Sequence, residues 1–174
     1  MVEKIFLESA IKRFKEYKTL GDKTFAVLNE EQFHFQPNDA SNSLAVIIQH
    51  MHGNMLSRWT NFLTEDGEKS WRKRDKEFEV HHASKEDLLK LWEEGWNVCL
   101  QALEDLQEGD LVKTITIRQQ PLVVVDAVNR QLAHYAYHVG QIVYLGRWMK
   151  DKEWTSLSIP KGESVVYADR LRKS

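Results

Sequence analysis

One cysteine in 174 residues, Cys99, leaves no partner for an intramolecular disulfide and no thiolate cluster, so a bound metal must use histidine or carboxylate ligands. No apolar run is long enough for a signal-peptide core or a membrane span, and the opening Met1-Val-Glu-Lys-Ile-Phe-Leu-Glu carries charges inside its apolar pattern. Lys and Arg (24) nearly balance Asp and Glu (26), which removes any broad attraction to nucleic acid or an anionic membrane. No linker divides the chain, and 42% hydrophobic residues suit one domain over residues 1–174 with a continuous core. The expectation is a cytoplasmic protein with neither nucleic acid nor membrane as partner.

What is present is a set of long amphipathic patterns. Ile5, Phe6, Ala10, Phe14, Tyr17 and Leu20 recur at helical spacing in a first helix over about 2–28, and the stretch 29–38, with Pro37, reads as a connection. His34, between Phe33 and Phe35, reads as part of an aromatic plug at the end of the bundle. The Ser41-Asn42-Ser43 cluster opens a second helix reaching about Leu63, with Leu44, Ile47, Ile48, Met51, Met55, Trp59 and Phe62 as its stripe. This helix carries His50 and His52, which point about 200° apart. The helical wheel sets His52 nearer the centre of the apolar stripe and His50 on its flank, so periodicity does not choose between them.

Residues 64–83 lose the pattern and read as a long loop pinned to the body by Trp71 and Phe78. Its Arg72-Lys-Arg74 run is of a kind that binds phosphate, but acidic neighbours on both sides favour a solvated, self-neutralising surface, and His81 and His82 read as surface histidines. Ser84-Lys-Glu-Asp87 caps a third helix to about Leu106, in which Gly95 permits close approach of a neighbour and Cys99 is an inert core thiol. A β-branched run within 110–118 predicts a short extended segment, and Pro121 fits the first turn of a fourth helix ending near Lys150. The tail from 151 reads as irregular cover for a bundle edge. Four such helices without alternating strands specify an all-α bundle, and the long middle loop lets helices two and three run in the same direction.

The fourth helix contains His134-x-x-x-His138, two imidazoles one turn apart on one face, close enough to share a metal ion or a substrate. An inward histidine is costly unless its ring nitrogens find partners.

Ser43-Leu-Ala-Val-Ile-Ile-Gln-His50-Met in helix two and His134-x-x-x-His138-Val-Gly-Gln-Ile142 in helix four resemble the DinB/YfiT-like superfamily of metal-binding four-helix bundles over roughly residues 1–150. Trp71-Arg-Lys-Arg-Asp-Lys-Glu-Phe78 and Ser158-Ile-Pro-Lys-Gly162 are similar to signatures of an uncharacterised bacterial subgroup. The resemblance implies an up-down-down-up bundle and homodimerisation through bundle helices. It also implies a divalent metal site made by His50, His134 and His138, with the family register selecting His50 over His52.

Three neutral imidazoles leave the ion's charge undiminished and leave coordination positions free, and zinc and nickel both suit imidazole. The function that the resemblance implies for this set is a metal-dependent hydrolase or thiol-dependent transferase acting on a small molecule. The alternatives are a non-catalytic metal-binding or sensing bundle, and a dimerising bundle whose histidines hold no metal. No general base is identifiable; Asn54, Tyr135, Arg130 and Arg147 are candidates for supporting the ligands or contacting substrate.

Overall fold

A computed structural model describes residues 1–79 and 82–172, apart from the side chain of Leu171. The expected patterns wind into four long helices: α1 (Val2–Ala26), α3 (Leu44–Trp59), α4 (Lys85–Glu104) and α5 (Val124–Lys150), with α2 (Glu30–His34) between the first two and α6 (Ser164–Arg172) last. A hairpin of β1 (Thr114–Ile117) and β2 (Gln120–Val123) precedes α5. No described helix is long and apolar enough to cross a membrane.

Phe14 of α1 shows how the helices share one core. Its ring meets Trp59 of α3 at 6.3 Å, Trp96 of α4 at 6.5 Å and Tyr135 of α5 at 5.9 Å, each edge to face. Such contacts contribute about 0.5–1.5 kcal/mol per pair beyond area burial. The helices meet at definite registers. Lys15 and Lys18 of α1 bind Glu104 (2.6 Å) and Glu93 (2.8 Å) of α4, while Phe14 and Thr24 of α1 face Tyr135 and Gly146 of α5. Along α3, His50 and Asn54 meet His138 and Tyr135 of α5, and His52 binds Glu94 of α4. A groove beyond the end of α3 joins residues 59–64 to residues 97–106. Close approach of α3 and α4 needs Gly95, where a Cβ would stand 3.0 Å from the Met55 sulfur and 3.3 Å from the His52 Cα.

Several boundaries differ from those expected, each for a local reason. The connection after α1 contains a helical turn because Asn29 and Gln32 cap each other reciprocally (2.9 and 3.0 Å). Ile5, expected on the inner face of α1, is exposed. The second long helix ends at Trp59 rather than Leu63, with Asn61 in the left-handed region (φ 48°). Pro121 lies in β2, opposite Thr116, and does not start a helix. The helix begins at Val124, where the free amides of Val124 and Val125 donate to the carbonyls of Lys113 (2.9 Å) and Leu111 (3.0 Å). The tail is not wholly irregular, since it ends in α6.

Candidate metal site

Ser43 sets the register of α3 by accepting from the Val46 amide at 3.3 Å, and from that start His50 falls on the side facing α5. The Nε2 of His134 lies 3.3 Å from Nε2 of His50 and 3.0 Å from Nε2 of His138, and the three ring nitrogens all lie within 4.8 Å of one another. Metal–nitrogen bonds of about 2.0–2.1 Å place neighbouring ligand nitrogens about 2.9–3.4 Å apart, so two edges of this triangle have the spacing of a first coordination sphere. His50 and His138 are buried and His134 is half-buried.

The outer ring nitrogens fix which atoms carry lone pairs. Nδ1 of His50 lies 2.9 Å from the Glu77 carboxylate, an acceptor, and therefore carries the proton; Nδ1 of His138 donates in the same way to Gln141 Oε1 at 2.9 Å. Both Nε2 lone pairs then point at the Nε2 of His134, which has at most one proton to offer. The donor set fits a cation better than it fits itself. Protonation does not relieve the conflict near neutral pH. Burial, reinforced by His138 and His50, lowers the pKa of His134 to about 3, and burial, with His50, lowers that of His138 to about 4. The set can hold a divalent metal ion.

Glu77 anchors this arrangement from the middle loop. Burial alone would raise its pKa, yet the bonds from His50 and Arg72 hold it below the ordinary glutamate value. Arg72 grips it through Nε (2.7 Å) and Nη2 (2.9 Å), and the side chain of Arg72 is 2% exposed. The neighbouring Phe78 ring lies against His50 at 4.8 Å. The expected solvated surface is thus corrected: Arg72 and Glu77 form a buried pair, and only Arg74 and its neighbours stay in water. Phe78 pins the loop as expected, whereas Trp71 is exposed and does not.

A cavity of about 430 Å³ opens on the histidines, lined in part by Asn54, Arg130, Gln131 and Tyr137. Of the four supporting candidates, Asn54 and Arg130 lie on this wall. Tyr135 is in the core beneath it, where its hydroxyl accepts from Trp59 Nε1 and donates to Asn54 Oδ1, both at 3.0 Å. Arg147 is exposed and absent from the lining, about two and a half turns beyond His138. His52 faces α4, His34 bonds to the Ala83 carbonyl at 3.0 Å, His82 is exposed, and His81 lies outside the described residues. Cys99 is fully buried, and burial pushes its thiol pKa well up, as befits an inert core residue.

Sequence reasoning missed Glu77 and its pairing with Arg72, Gln141, and Arg58 of α3. Gln141 alone had a legible signal, since it stands one turn beyond His138.

A comparison with curated proteins returns no match. A crystal structure of a DinB-like protein from Bacillus cereus is similar to this chain with a TM-score of 0.62 at 17% identity, covering 82% of this chain and 91% of that one, a likeness of fold. Residues 1–163 match the family described as "protein of unknown function (DUF1572)", and with its mostly helical, DinB-like fold the chain belongs to that family.

Proposed function

We propose that this protein is a metal-dependent enzyme that holds one divalent ion, zinc or nickel, through His50, His134 and His138 and acts on a small molecule. The observation that carries this reading is the gathering of three Nε2 atoms within 4.8 Å of one another beside an open cavity. The ion supplies Lewis-acid chemistry there, lowering the pKa of a water or thiol and polarising an electrophile. The residues do the rest. Glu77 and Gln141 hold two imidazoles in the tautomer that presents Nε2, Phe78 shields one face of His50, and Asn54 offers a polar contact to the occupant of the cavity.

No carboxylate lines the cavity among the described residues, so a nucleophile there would rely chiefly on the ion for its ionisation. This favours a low-molecular-weight thiol as nucleophile, because a thiol (pKa about 8.5) needs less help to ionise. The reaction class is then thiol transfer to an electrophile, with hydrolysis as the second outcome of the same assay.

The contact registers support an up-down-down-up bundle. Facing pairs run in opposite order between α1 and α4 and between α3 and α5, and in the same order between α1 and α5 and between α3 and α4. Exposed Tyr137, Tyr144 and Trp148 along α5 support a homodimer formed through that helix, a partner expected in a cytoplasmic setting.

The test is metal analysis of tag-free protein before and after loading with zinc or nickel. One equivalent per chain is expected, and less than about a tenth of an equivalent in both states rejects the site. Loaded protein is then assayed with low-molecular-weight thiols and electrophiles. Metal without turnover over a broad panel assigns the protein to binding or sensing instead.

A further inference from the structure

The cavity beside the histidines is ringed by Arg58, Arg72, Arg74, Arg118 and Arg130, although the chain as a whole has a formal net charge of −2. Four parts of the fold deliver them. Arg58 comes from α3, Arg72 and Arg74 from the middle loop, and Arg130 from α5, while Arg118 sits in the hairpin turn, whose Arg118 and Gln119 amides are both held by the Asp66 carboxylate at 2.8 Å. Compensation is incomplete. Glu68 serves Arg58 (3.0 Å), Arg118 (2.9 Å) and Arg72 (3.9 Å) at once, and Glu77 serves Arg72 and His50. Arg74 has Asp75 at 3.7 Å, and Arg130 has no ion-pair partner among the described residues. Five guanidinium groups thus face three carboxylates.

Two of the guanidinium groups also hold unused donors. Arg58 Nε and Arg72 Nη1 are buried without a hydrogen-bond partner, on side chains 5% and 2% exposed, and Gln131 Oε1 is buried and unpartnered at the same wall. A buried donor left unmade is costly, more so when charged, so the protein's own acceptors do not fully compensate these two guanidinium groups. Guanidinium donors match oxyanions.

We propose that this arginine wall is a subsite for the oxyanion, carboxylate or phosphate, of a small-molecule substrate whose reacting end faces the three histidines. The inference names the substrate class of the site described above and rests on that reading for where the chemistry occurs. The arginines also set polarity, drawing an anion to the cavity before it meets the histidines.

Calorimetric titration of metal-free and zinc-loaded protein with inorganic phosphate and with succinate, at constant ionic strength set by chloride, tests it. Saturable binding of at least one anion is expected in the metal-free protein and in His138→Ala. A loss of about tenfold or more is expected in Arg130→Ala and in Arg58→Lys. Preference for phosphate assigns a phosphate-bearing substrate, and preference for succinate a carboxylate. Arg130 is exposed, so its variant tests the wall even if Arg58→Lys does not fold. Absence of binding to both forms overturns the proposal, as does unchanged affinity in folded Arg130→Ala. Zinc content measured on the same samples separates the two readings. Arginine-dependent anion binding without zinc uptake removes the metal site and keeps the subsite, and zinc uptake without anion binding does the reverse.

Discussion

The carboxylate of Glu77 lies 2.9 Å from Nδ1 of His50, across twenty-seven residues of chain and from a short 3₁₀ helix, Arg74–Phe78, in the middle loop. Arg72, bound to both oxygens of that carboxylate, fixes its orientation, so the ring of His50 is clamped with Nε2 toward the other histidines. The middle loop is therefore structural support for the site, and its charged residues are part of the cavity's design.

Replacing Glu77 by Gln tests that clamp. The amide keeps the volume but weakens both the bond to His50 and the pairing with Arg72, and partners of this kind are worth about 10–100-fold in metal affinity. Glu77→Gln is expected to bind zinc about tenfold or more weakly in competition with a chromophoric chelator, with an unchanged far-ultraviolet circular dichroism spectrum. Unaltered affinity would mean that the bond does not orient the ligand.

Gly53 provides an independent check on the same geometry. A Cβ there would overlap the carboxylate end of Glu77, so the missing side chain is what lets Glu77 lie against α3. The overlap is with the tip of a side chain that can rotate away. Ala is the better helix former by up to about 1 kcal/mol, but displacing Glu77 takes the partner from the buried Arg72 guanidinium, so the thermal stability of Gly53→Ala should fall while its helix content is kept. Zinc affinity should fall as in Glu77→Gln. Lower metal affinity with retained helix content is the signature; a folded variant with full affinity contradicts it.

The helices were legible because their apolar residues repeat at helical spacing, and His134 and His138 because four residues set them on one face. His50 was harder. Twelve of the sixteen residues of α3 are buried, so this helix has no single inner face, and the centre of its stripe, near His52, faces α4 rather than the site. Glu77, and the burial of Arg72 against it, could not be read. A charged pair five residues apart in a loop looks solvated until the loop docks, and docking depends on Gly53 and Phe78, which carry no pattern.

Tyr135 illustrates a candidate whose role moved from the site to its foundation. Its hydroxyl, whose pKa burial pushes well up, remains protonated and links Trp59 to Asn54 with no exposure to water. Tyr135→Phe orphans the indole N–H and the Asn54 oxygen, each costing about 1–3 kcal/mol. Thermal unfolding should shift down by roughly 5 °C or more, with zinc stoichiometry preserved. Loss of stoichiometry at unchanged stability would instead place Tyr135 in the site.

The lowered pKa values of His134 and His138 make the metal-free protein acid-sensitive in a definite window. In the unfolded chain both rings take up a proton near pH 6.5, whereas in the folded protein they do so only at about 3 and about 4. Between these limits the unfolded state binds more protons, so stability is complete above about pH 6.5 and falls as pH falls toward 4. Carboxylates weaken the fold in the same direction but mostly below about pH 5, which leaves pH 5 to 6.5 to the histidines. The melting temperature of metal-free protein should therefore fall from pH 7 to pH 5, and that of a His134→Gln, His138→Gln double variant should fall less. A melting temperature constant or rising on acidification over that interval would show that the two rings are not held neutral by burial and by one another.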